Sequence, residues 1–272
     1  MEQESVAGGF SQFGDLSPFY DELMSGVPYA AWVDYVRLLW EVHDCSPRRV
    51  LDAACGTGNV SFELARHGYD VVGVDLSASM VAWAQAKLSE EPWLAHSTQD
   101  AGGGGGSVSF YAGDLRSFEL GARFEAATCL YDSLNYILEP EDLGRAFAQV
   151  GAHVEPGGVW VFDMNAPWAF EANLFTQSNR DPRRALHYSW QADFDALSHI
   201  CTVQMTFEKS DPRSQQGAQT FRETHRERAY EMNQVIGLLS SSGWKLERAY
   251  DAYTLNPPHK KSERWYFAAR KI

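Results

Sequence analysis

The fold is decided by the stretch Val50-Leu51-Asp52-Ala53-Ala54-Cys55-Gly56-Thr57-Gly58-Asn59. A short apolar run ends in an acid, a turn with two glycines follows, and an amphipathic run begins, which is the pattern of a strand, a loop and a helix start. Gly56 and Gly58 carry no Cβ and so let the backbone come close to a ligand, while the helix start leaves N–H groups free. A second apolar run, Val71-Val72-Gly73-Val74, ends in Asp75. Two such strand ends predict the nucleoside-binding half of a doubly wound sheet.

The composition is that of an acidic globular protein. The chain has 272 residues, of which 44% are hydrophobic and 22% are charged, and its formal net charge is −13. This hydrophobic content is sufficient for a sizeable core. The negative charge argues against duplex nucleic acid as a partner, because phosphates require a basic face.

The cysteines and the apolar runs indicate the cellular compartment in which the protein is expected. Cys45, Cys55, Cys129 and Cys201 are scattered without metal-ligand spacing, so we expect reduced thiols and no metal site. No apolar run approaches the ~20 residues that a membrane span needs. The acidic residues 1–4 are unlike a targeting peptide. We therefore expect a cytoplasmic protein with no membrane partner.

The first 165 residues alternate between strand and helix patterns. Five strands are predicted, at residues 48–53, 70–75, 108–111, 126–130 and 159–163. Helices are expected to end at Gly68, to begin at the N-cap Ser77 and to begin at Pro140. The five glycines at 102–106 indicate a flexible surface loop, because no strand precedes them and no Lys-Ser/Thr follows, as a phosphate loop would require.

The pattern changes after strand five. From about residue 165 to 230 the helical period stops and residues alternate, which predicts about three antiparallel strands. A last helix over 231–242 and two final strands, forming a hairpin-like pair, follow. We expect an α/β fold with a doubly wound, mainly parallel seven-stranded sheet and a small antiparallel β insert. The predicted division is an aromatic and helical cap at 1–46, a cofactor-binding domain at 47–165 and 231–272, and the substrate-side insert at 166–230.

Two cofactor classes compete for the glycine turn. A nicotinamide dinucleotide site requires G-x-G-x-x-G, and here Ser61 stands where the third glycine would be. Asp52, four residues before Gly56, would face a pyrophosphate, whereas a ligand with an ammonium group and no phosphate tolerates it. S-adenosylmethionine is such a ligand, because it carries an amino acid end, a sulfonium cation and a ribose.

The segment Asp52–Gly58 resembles the signature D/E-x-G-x-G-x-G of the class I S-adenosylmethionine-dependent methyltransferases, with Ala54 in place of the first glycine. Alanine adds one methyl group and can occupy ordinary backbone angles, so we expect this departure to be small. Gly73-Val74-Asp75-Leu76-Ser77 with Met80, Gly113-Asp114 and Pro156-Gly157-Gly158 carry the resemblance further. It spans roughly residues 47–165 and extends to 231–270, and it implies a Rossmann-like methyltransferase fold.

The resemblance also implies roles for individual residues. Asp75 would accept hydrogen bonds from both ribose hydroxyls, which suits the two oxygens of a carboxylate. Asp114 would bind the adenine amino group with Leu115 beside the ring, and residues 131–135 would line the methyl and acceptor side. In isolation, either acid could equally be a loop or helix-capping residue. The expected cofactor-binding residues are Tyr20, Tyr29, Trp32, Asp52, Ala54, Cys55, Gly56, Gly58, Asp75, Leu76, Met80, Gly113, Asp114, Leu115, Leu130 and Tyr131.

A narrower resemblance links the chain to small-molecule methyltransferases with a β-rich insert after strand five. In that group N-terminal aromatics close over the cofactor, so Tyr20, Tyr29 and Trp32 are candidates, although Trp32 could instead be a core residue. The group often carries an E-x-H pattern in the insert, which Glu223-Thr224-His225 matches. On a strand these two side chains share a face with Phe221 and Glu227. The alternative is a solvated, highly charged strand that discourages edge pairing.

A sulfonium methyl group is already activated, so the enzyme mainly aligns a nucleophile in line with the S–CH₃ bond, about 3 Å away. A base is needed only when the nucleophile arrives protonated. The candidate bases are His225, Glu223 and Asp132, and the candidate positioning groups are Tyr131 and Asn135.

The acceptor is predicted to be a small molecule. Amino-methyltransferases of nucleic acids carry an N-P-P-Y motif directly after strand four, where this chain has Asp132-Ser133-Leu134-Asn135-Tyr136. With the acidic charge, this favours transfer to N or O of a small molecule over duplex nucleic acid, and leaves a protein or tRNA side group as another acceptor. The alternative functions are a nicotinamide-dependent oxidoreductase and a non-catalytic S-adenosylmethionine-binding module. The sequence leaves monomer and homodimer open.

Overall fold

The computed structural model describes residues 13–94, 105–181, 184–209 and 219–272. The first twelve residues of the predicted cap and most of the glycine run at 102–106 lie outside them. The helices are α1 (Tyr20–Leu23), α2 (Tyr29–Val42), α3 (Asn59–Arg66), α4 (Ala78–Glu90), α5 (Pro140–His153), α6 (Pro167–Glu171) and α7 (Met232–Ser241). The strands are β1 (Arg49–Ala53), β2 (Asp70–Asp75), β3 (Ser107–Ala112), β4 (Phe124–Cys129), β5 (Val154–Asn165), β6 (Gln177–Asn179), β7 (Leu186–Asp195), β8 (Ile200–Lys209), β9 (Gln219–Arg228), β10 (Trp244–Asp251) and β11 (Arg264–Lys271).

Seven strands form the main sheet in the order β10-β11-β5-β4-β1-β2-β3. The pairs from β3 to β5 are parallel, while β11 is antiparallel to both β5 and β10. The sequence-based prediction of a doubly wound, mainly parallel sheet is therefore confirmed, as is the final hairpin-like pair. The strand order reverses between β1 and β4, which is where α/β proteins of this kind bind ligands.

The sheet is covered on both faces because its strands are apolar on both faces. Helices α2, α3 and α4 pack on one face, where Leu39, Phe62 and Val81 join a common buried cluster. Helices α5 and α7 pack on the other, where Phe147 and Leu239 surround the strand tryptophans. These two cores fix the ends of the parallel strands.

The predicted helix boundaries are confirmed by their backbone geometry. Gly68 and Gly243 follow helices with φ of 95° and 78°, in the left-handed region where glycine avoids a Cβ clash. The Ser77 hydroxyl accepts a hydrogen bond from the Met80 backbone N–H and caps α4. Pro140 occupies the first turn of α5.

The insert is a separate sheet of four strands in the order β6-β7-β8-β9, with every pair antiparallel. The sequence predicts about three of them and misses β6, which has only three residues and no apolar alternation. It also misses the five-residue helix α6, which is too short for a helical period to show. The face of β9 that carries Glu223, His225 and Glu227 is buried, whereas Arg222 and Arg226 on its other face are exposed, so the solvated surface considered as an alternative is limited to that face.

Candidate active site

A cavity of about 1260 Å³ opens at the carboxyl edge of the parallel strands. The main sheet supplies its floor, the insert supplies one wall, and residues 13–24, which we call the N-terminal arm, cover it. The glycine loop after β1 and the turns after β2, β3 and β4 all contribute lining residues, as does strand β9.

The glycine loop turns through three residues with positive φ: Ala54 at 57°, Gly56 at 55° and Gly58 at 82°. The expectation that Ala54 occupies ordinary backbone angles is therefore wrong, since this conformation costs an L-residue about 1–2 kcal/mol. A Cβ on Gly58 would lie 2.5 Å from the Phe110 ring, whereas one on Gly56 would meet nothing within 4 Å. The loop is consequently packed from behind at Gly58 and open towards the cavity at Gly56.

Asp75 lies at the end of β2 and lines the cavity. Its Oδ2 accepts a hydrogen bond from the Gly56 N–H at 2.8 Å and its Oδ1 accepts one from the Ser77 N–H at 2.8 Å. A carboxylate offers about four lone-pair sites, so each oxygen retains capacity for a further donor. Burial raises the pKa of this carboxyl above its ordinary value, and the two N–H donors oppose that rise. The geometry suits two vicinal hydroxyl groups.

Asp52 reaches the cavity, and each of its two carboxylate oxygens is hydrogen-bonded within the protein. The Ser61 hydroxyl donates to its Oδ2 at 2.5 Å and the Thr128 hydroxyl donates to its Oδ1 at 2.9 Å. Burial raises the pKa of Asp52 to about 6. These bonds tie the end of β1 to α3 and β4, so Asp52 is first of all a structural anchor at the start of the glycine loop.

The side of the cavity that is predicted to hold the nucleoside has an apolar wall and one acidic residue, which forms an ion pair. Leu76, Met80 and Leu115 line the cavity, and Leu76 is 70% exposed there. Asp114 also lines it, and the Arg116 guanidinium donates to both of its oxygens, which holds the pKa of this carboxyl below its usual range. The Asp114 side chain remains about a quarter exposed and can receive a further donor.

The N-terminal arm is fastened at the glycine loop. The Asp21 carboxylate accepts hydrogen bonds from the Thr57 hydroxyl at 2.6 Å and the Asn59 amide at 2.9 Å, and it pairs with Lys87 at 2.8 Å. Tyr20 in this arm lines the cavity and is expected to lie over the cofactor.

The three candidate aromatic residues do not all reach the cavity. Tyr20 and Tyr29 line it, whereas Trp32 is buried behind it. The Trp32 ring stacks between Tyr131, at 5.3 Å, and Tyr253, at 6.1 Å. Trp32 therefore supports Tyr131 from behind, in agreement with its interpretation as a core residue.

The turn after β4 carries the most strained backbone of the site. Tyr131 and Asp132 are consecutive non-glycine residues with φ of 67° and 54°. Asp163 accepts a hydrogen bond from the Asp132 N–H at 3.1 Å, and the Arg264 guanidinium donates to both carboxylates, reaching Asp132 Oδ1 at 2.7 Å. Burial raises the pKa of Asp132 to about 6, with Arg264 opposing the rise. The turn thus aims Tyr131 and Asp132 into the cavity.

Glu223 and His225, the E-x-H pair, form a buried chain of hydrogen bonds behind the N-terminal arm, which we call the relay. The His225 ring lies with Nε2 2.7 Å from Glu223 Oε2 and Nδ1 3.0 Å from the Tyr136 hydroxyl. Glu223 also accepts the backbone N–H groups of Phe13 and Leu16, at 3.1 and 2.8 Å. Burial would raise the pKa of Glu223, but these donors together lower it. Both ring nitrogens of His225 are therefore engaged, and Glu223 does not line the cavity.

Asn135 is fully buried and does not line the cavity. Its side chain bonds the backbone of Asn165 in both directions and donates to the Arg228 carbonyl at 2.9 Å. It joins the turn after β4 to β5 and β9. Gly58 and Gly113 likewise shape the loops without lining the cavity, while Ala54, Cys55, Gly56, Leu130 and Tyr131 line it.

Sequence reasoning misses several cavity residues, among them Asn165, Glu227 and Arg264. Glu227 has a weak signal, because it alternates with Glu223 and His225 along one strand face. Arg264 has none, because its partner Asp132 lies 132 residues away in the chain.

Comparison with known proteins agrees with this geometry. Residues 50–158 match the family described as "Methyltransferase domain". The chain is 31% identical over 255 residues to a Bacillus subtilis (strain 168) protein named "Putative methyltransferase YqeM", covering 93% of this chain and 94% of that protein. A crystal structure of an S-adenosylmethionine-dependent methyltransferase from Clostridium acetobutylicum ATCC 824 superposes with a TM-score of 0.79 at 24% identity, covering 96% and 99% of the two chains. The chain belongs to the class I S-adenosylmethionine-dependent methyltransferases.

A third relative covers only half of this methyltransferase. It is the dTDP-3-amino-3,4,6-trideoxy-alpha-D-glucopyranose N,N-dimethyltransferase of Streptomyces venezuelae, 30% identical over 145 residues, which is 53% of each chain. Membership of the family makes the protein an enzyme with S-adenosylmethionine as its cofactor, and it sets aside the nicotinamide-dependent oxidoreductase and the non-catalytic module.

Proposed function

We propose that this methyltransferase transfers a methyl group from S-adenosylmethionine to a nitrogen or oxygen of a small-molecule acceptor held between the main sheet and the insert. The observation that carries the proposal is the Asp75 carboxylate, which lies beside the open backbone at Gly56 and has one lone pair on each oxygen left for a ribose hydroxyl.

The other proposed cofactor contacts line the cavity on either side of Asp75. Leu76, Met80 and Leu115 provide an apolar slot for the adenine ring, and Asp114 receives its amino group. The glycine loop from Ala54 to Gly58 borders the methionine end, and Tyr20 and Tyr29 cover the cofactor from the arm side. When bound, S-adenosylmethionine supplies an electrophilic methyl group on a sulfonium cation.

The acceptor side is formed by the turn after β4 and by the insert. Tyr131 and His225 line this side and are the groups that would contact the acceptor. Glu223 and Asn135 do not reach the cavity, so they act as positioning residues, Glu223 by orienting His225 and Asn135 by holding the turn. A cavity wall of apolar residues, Val203, Met205 and Trp190, favours a compact molecule with an apolar face.

The acceptor class is also supported by relatives whose names state that they act on amino sugars. The net charge of −13 supports the absence of duplex nucleic acid as a partner. Within the described ranges, no helix combines the length and the apolar character needed to cross a bilayer. We place the enzyme in the cytoplasm, as a monomer or homodimer.

Calorimetry and mass spectrometry test the proposal. We expect S-adenosylmethionine and S-adenosylhomocysteine to bind and NADH not to bind. Incubation with S-adenosylmethionine and a fractionated metabolite extract is expected to give one small-molecule product heavier by a methylene group. Binding of NADH with no binding of either sulfur ligand, or methylation confined to protein or nucleic acid, would contradict the proposal.

A further inference from the structure

Glu227 is a buried carboxyl group on the acceptor side of the cavity. It is 3% exposed, lines the cavity from β9, and accepts a hydrogen bond from the Asn165 amide at 2.9 Å. Its second partner is the Tyr136 hydroxyl, which also contacts His225. Both partners are uncharged, so no cation in the described part of the chain is paired with Glu227.

The other acids on this side are either paired or exposed. Asp132 is bound by Arg264, and Asp142 is bound by Arg116 and Arg145. Glu139 and Glu263 reach the cavity from exposed positions. On the acceptor side, Glu227 is therefore the buried acid that has no directly bonded cation within the described ranges, and Arg264 acts on it only from a distance.

The surroundings of Glu227 are acidic. Three buried carboxyls, those of Asp132, Asp163 and Glu227, share one guanidinium, that of Arg264, which is already bonded to the first two. The Asn165 side chain connects Glu227 to Asp132, because its amide donates a hydrogen bond to Glu227 and also contacts Asp132. A ligand cation beside Glu227 would reduce the net negative charge of this cluster.

We propose that Glu227 binds the reacting nitrogen of a protonated amine acceptor and takes up its proton, an inference that rests on the proposed methyl transfer. The acceptor is therefore a primary or secondary amine with an apolar or weakly polar body, lying against Val203, Met205 and Trp190. The Trp190 indole N–H is buried without a hydrogen-bond partner and offers this body one donor.

The chemistry balances within the site. The ammonium proton moves to the Glu227 carboxylate, which leaves a neutral amine with a free electron pair. That pair forms the new N–CH₃ bond while the C–S bond breaks and its electrons remain on sulfur, so a sulfonium becomes a thioether and the amine becomes a methylated ammonium. Glu227 then loses its proton to solvent. Burial raises the pKa of Glu227 to about 8, with Asp132 adding to the rise, which brings the carboxyl closer to the pKa of an ammonium group.

An alcohol acceptor suits this site less well. An alcohol brings no positive charge, so it leaves Glu227 protonated, whereas an ammonium group gains a charge-assisted hydrogen bond to the ionised carboxylate. Within the described ranges, the titratable groups that interact with Glu227 are those of Tyr136, Asp132, Arg264 and Cys201, and His225 lies next to it on the same strand face. Arg264 is committed to two carboxylates.

The test uses two shape-matched probes, cyclohexylamine and cyclohexanol. Each is titrated by calorimetry into the full-length enzyme saturated with S-adenosylhomocysteine, at pH 7 in two buffers of different ionisation enthalpy. We expect the amine to bind roughly 10- to 100-fold more tightly than the alcohol. We also expect its binding to release close to one proton, because the neutral Glu227 must ionise to pair with the cation.

Glu227→Gln is the diagnostic variant and Glu139→Gln, an exposed cavity acid, is the matched control. We expect Glu227→Gln to lose the preference for the amine and the proton release, with cyclohexanol and S-adenosylhomocysteine bound within about twofold of wild type. We expect Glu139→Gln to keep both the preference for the amine and the proton release. Equal binding of the two probes to wild type, no binding of the amine, or no proton release overturns the assignment even where the variant folds poorly. Failure of S-adenosylhomocysteine to bind would instead refute the proposed function itself.

Discussion

Replacing Asp75 by alanine removes the carboxylate that we propose binds the ribose of the cofactor. In the proposed complex, two ribose hydroxyls then lose a charged acceptor, and each such hydrogen bond contributes about 1.5–3 kcal/mol. The Gly56 and Ser77 N–H groups lose their acceptor in the free and bound enzyme alike, so that loss largely cancels in the affinity. Water entering the widened site offsets part of the remainder. We expect a net loss of roughly 2–4 kcal/mol, or about 30- to 1,000-fold in Kd.

The assay is calorimetric titration of S-adenosylhomocysteine into Asp75→Ala and into a control, Asp70→Ala. Asp70 begins the same strand at its opposite end, where it pairs with Arg48 at 2.9 Å. We expect Asp70→Ala to bind within about twofold of wild type, since the ion pair lies at the far end of the strand from the cavity. An unchanged Kd in Asp75→Ala, with the variant folded by circular dichroism, would refute the ribose role.

Three further variants test the arm, the relay and the buried acid. We expect His225→Ala to lower turnover at least about tenfold while the Kd of S-adenosylhomocysteine stays within about twofold, because the ring lies on the proposed acceptor side. Turnover is measured by steady-state kinetics and the Kd by calorimetry, and unchanged turnover would exclude His225 from the catalytic residues. Lys87→Ala removes a partly exposed ion pair with Asp21, so we expect a few-fold faster release of S-adenosylhomocysteine in stopped-flow fluorescence at low salt and a smaller difference at high salt. Glu227 has its pKa raised to about 8, so the folded protein binds more protons than the unfolded chain and loses stability as pH rises from about 5 to 8. Glu227→Gln lacks this loss, and its free energy of urea unfolding relative to wild type is expected to improve by on the order of 3 kcal/mol over that range; a pH-independent difference would contradict the raised pKa.

Local patterns are what the sequence reveals. The apolar run ending in Asp75 identifies both the strand and its acid, because a strand end and the residue that follows it are adjacent in the chain. The same holds for Ser77 and Gly68, whose capping roles depend on neighbours within four residues. The alternation through Glu223 and His225 predicts a shared strand face, which the burial of both side chains confirms.

Long-range geometry is what the sequence conceals. Arg264 meets Asp132 and Asp163 because β11 pairs with β5, a contact between distant segments that no local pattern encodes. The positive φ of Ala54 is hidden for a different reason, since alanine ordinarily signals regular backbone angles. The sequence pattern around Trp32 is the same whether its side chain faces a ligand or stacks behind Tyr131.

The N-terminal arm is attached both to the insert and to the glycine loop. One end of the arm is held by Glu223 in the insert, through the N–H groups of Phe13 and Leu16, and the other by the glycine loop, through Asp21. A ligand that strengthens either attachment orders the segment on which the other depends. By linkage, whatever factor the cofactor gains from a bound acceptor, the acceptor gains from the cofactor. Where a ligand strengthens one attachment, the ternary complex is favoured over either half-filled enzyme by that same coupling factor.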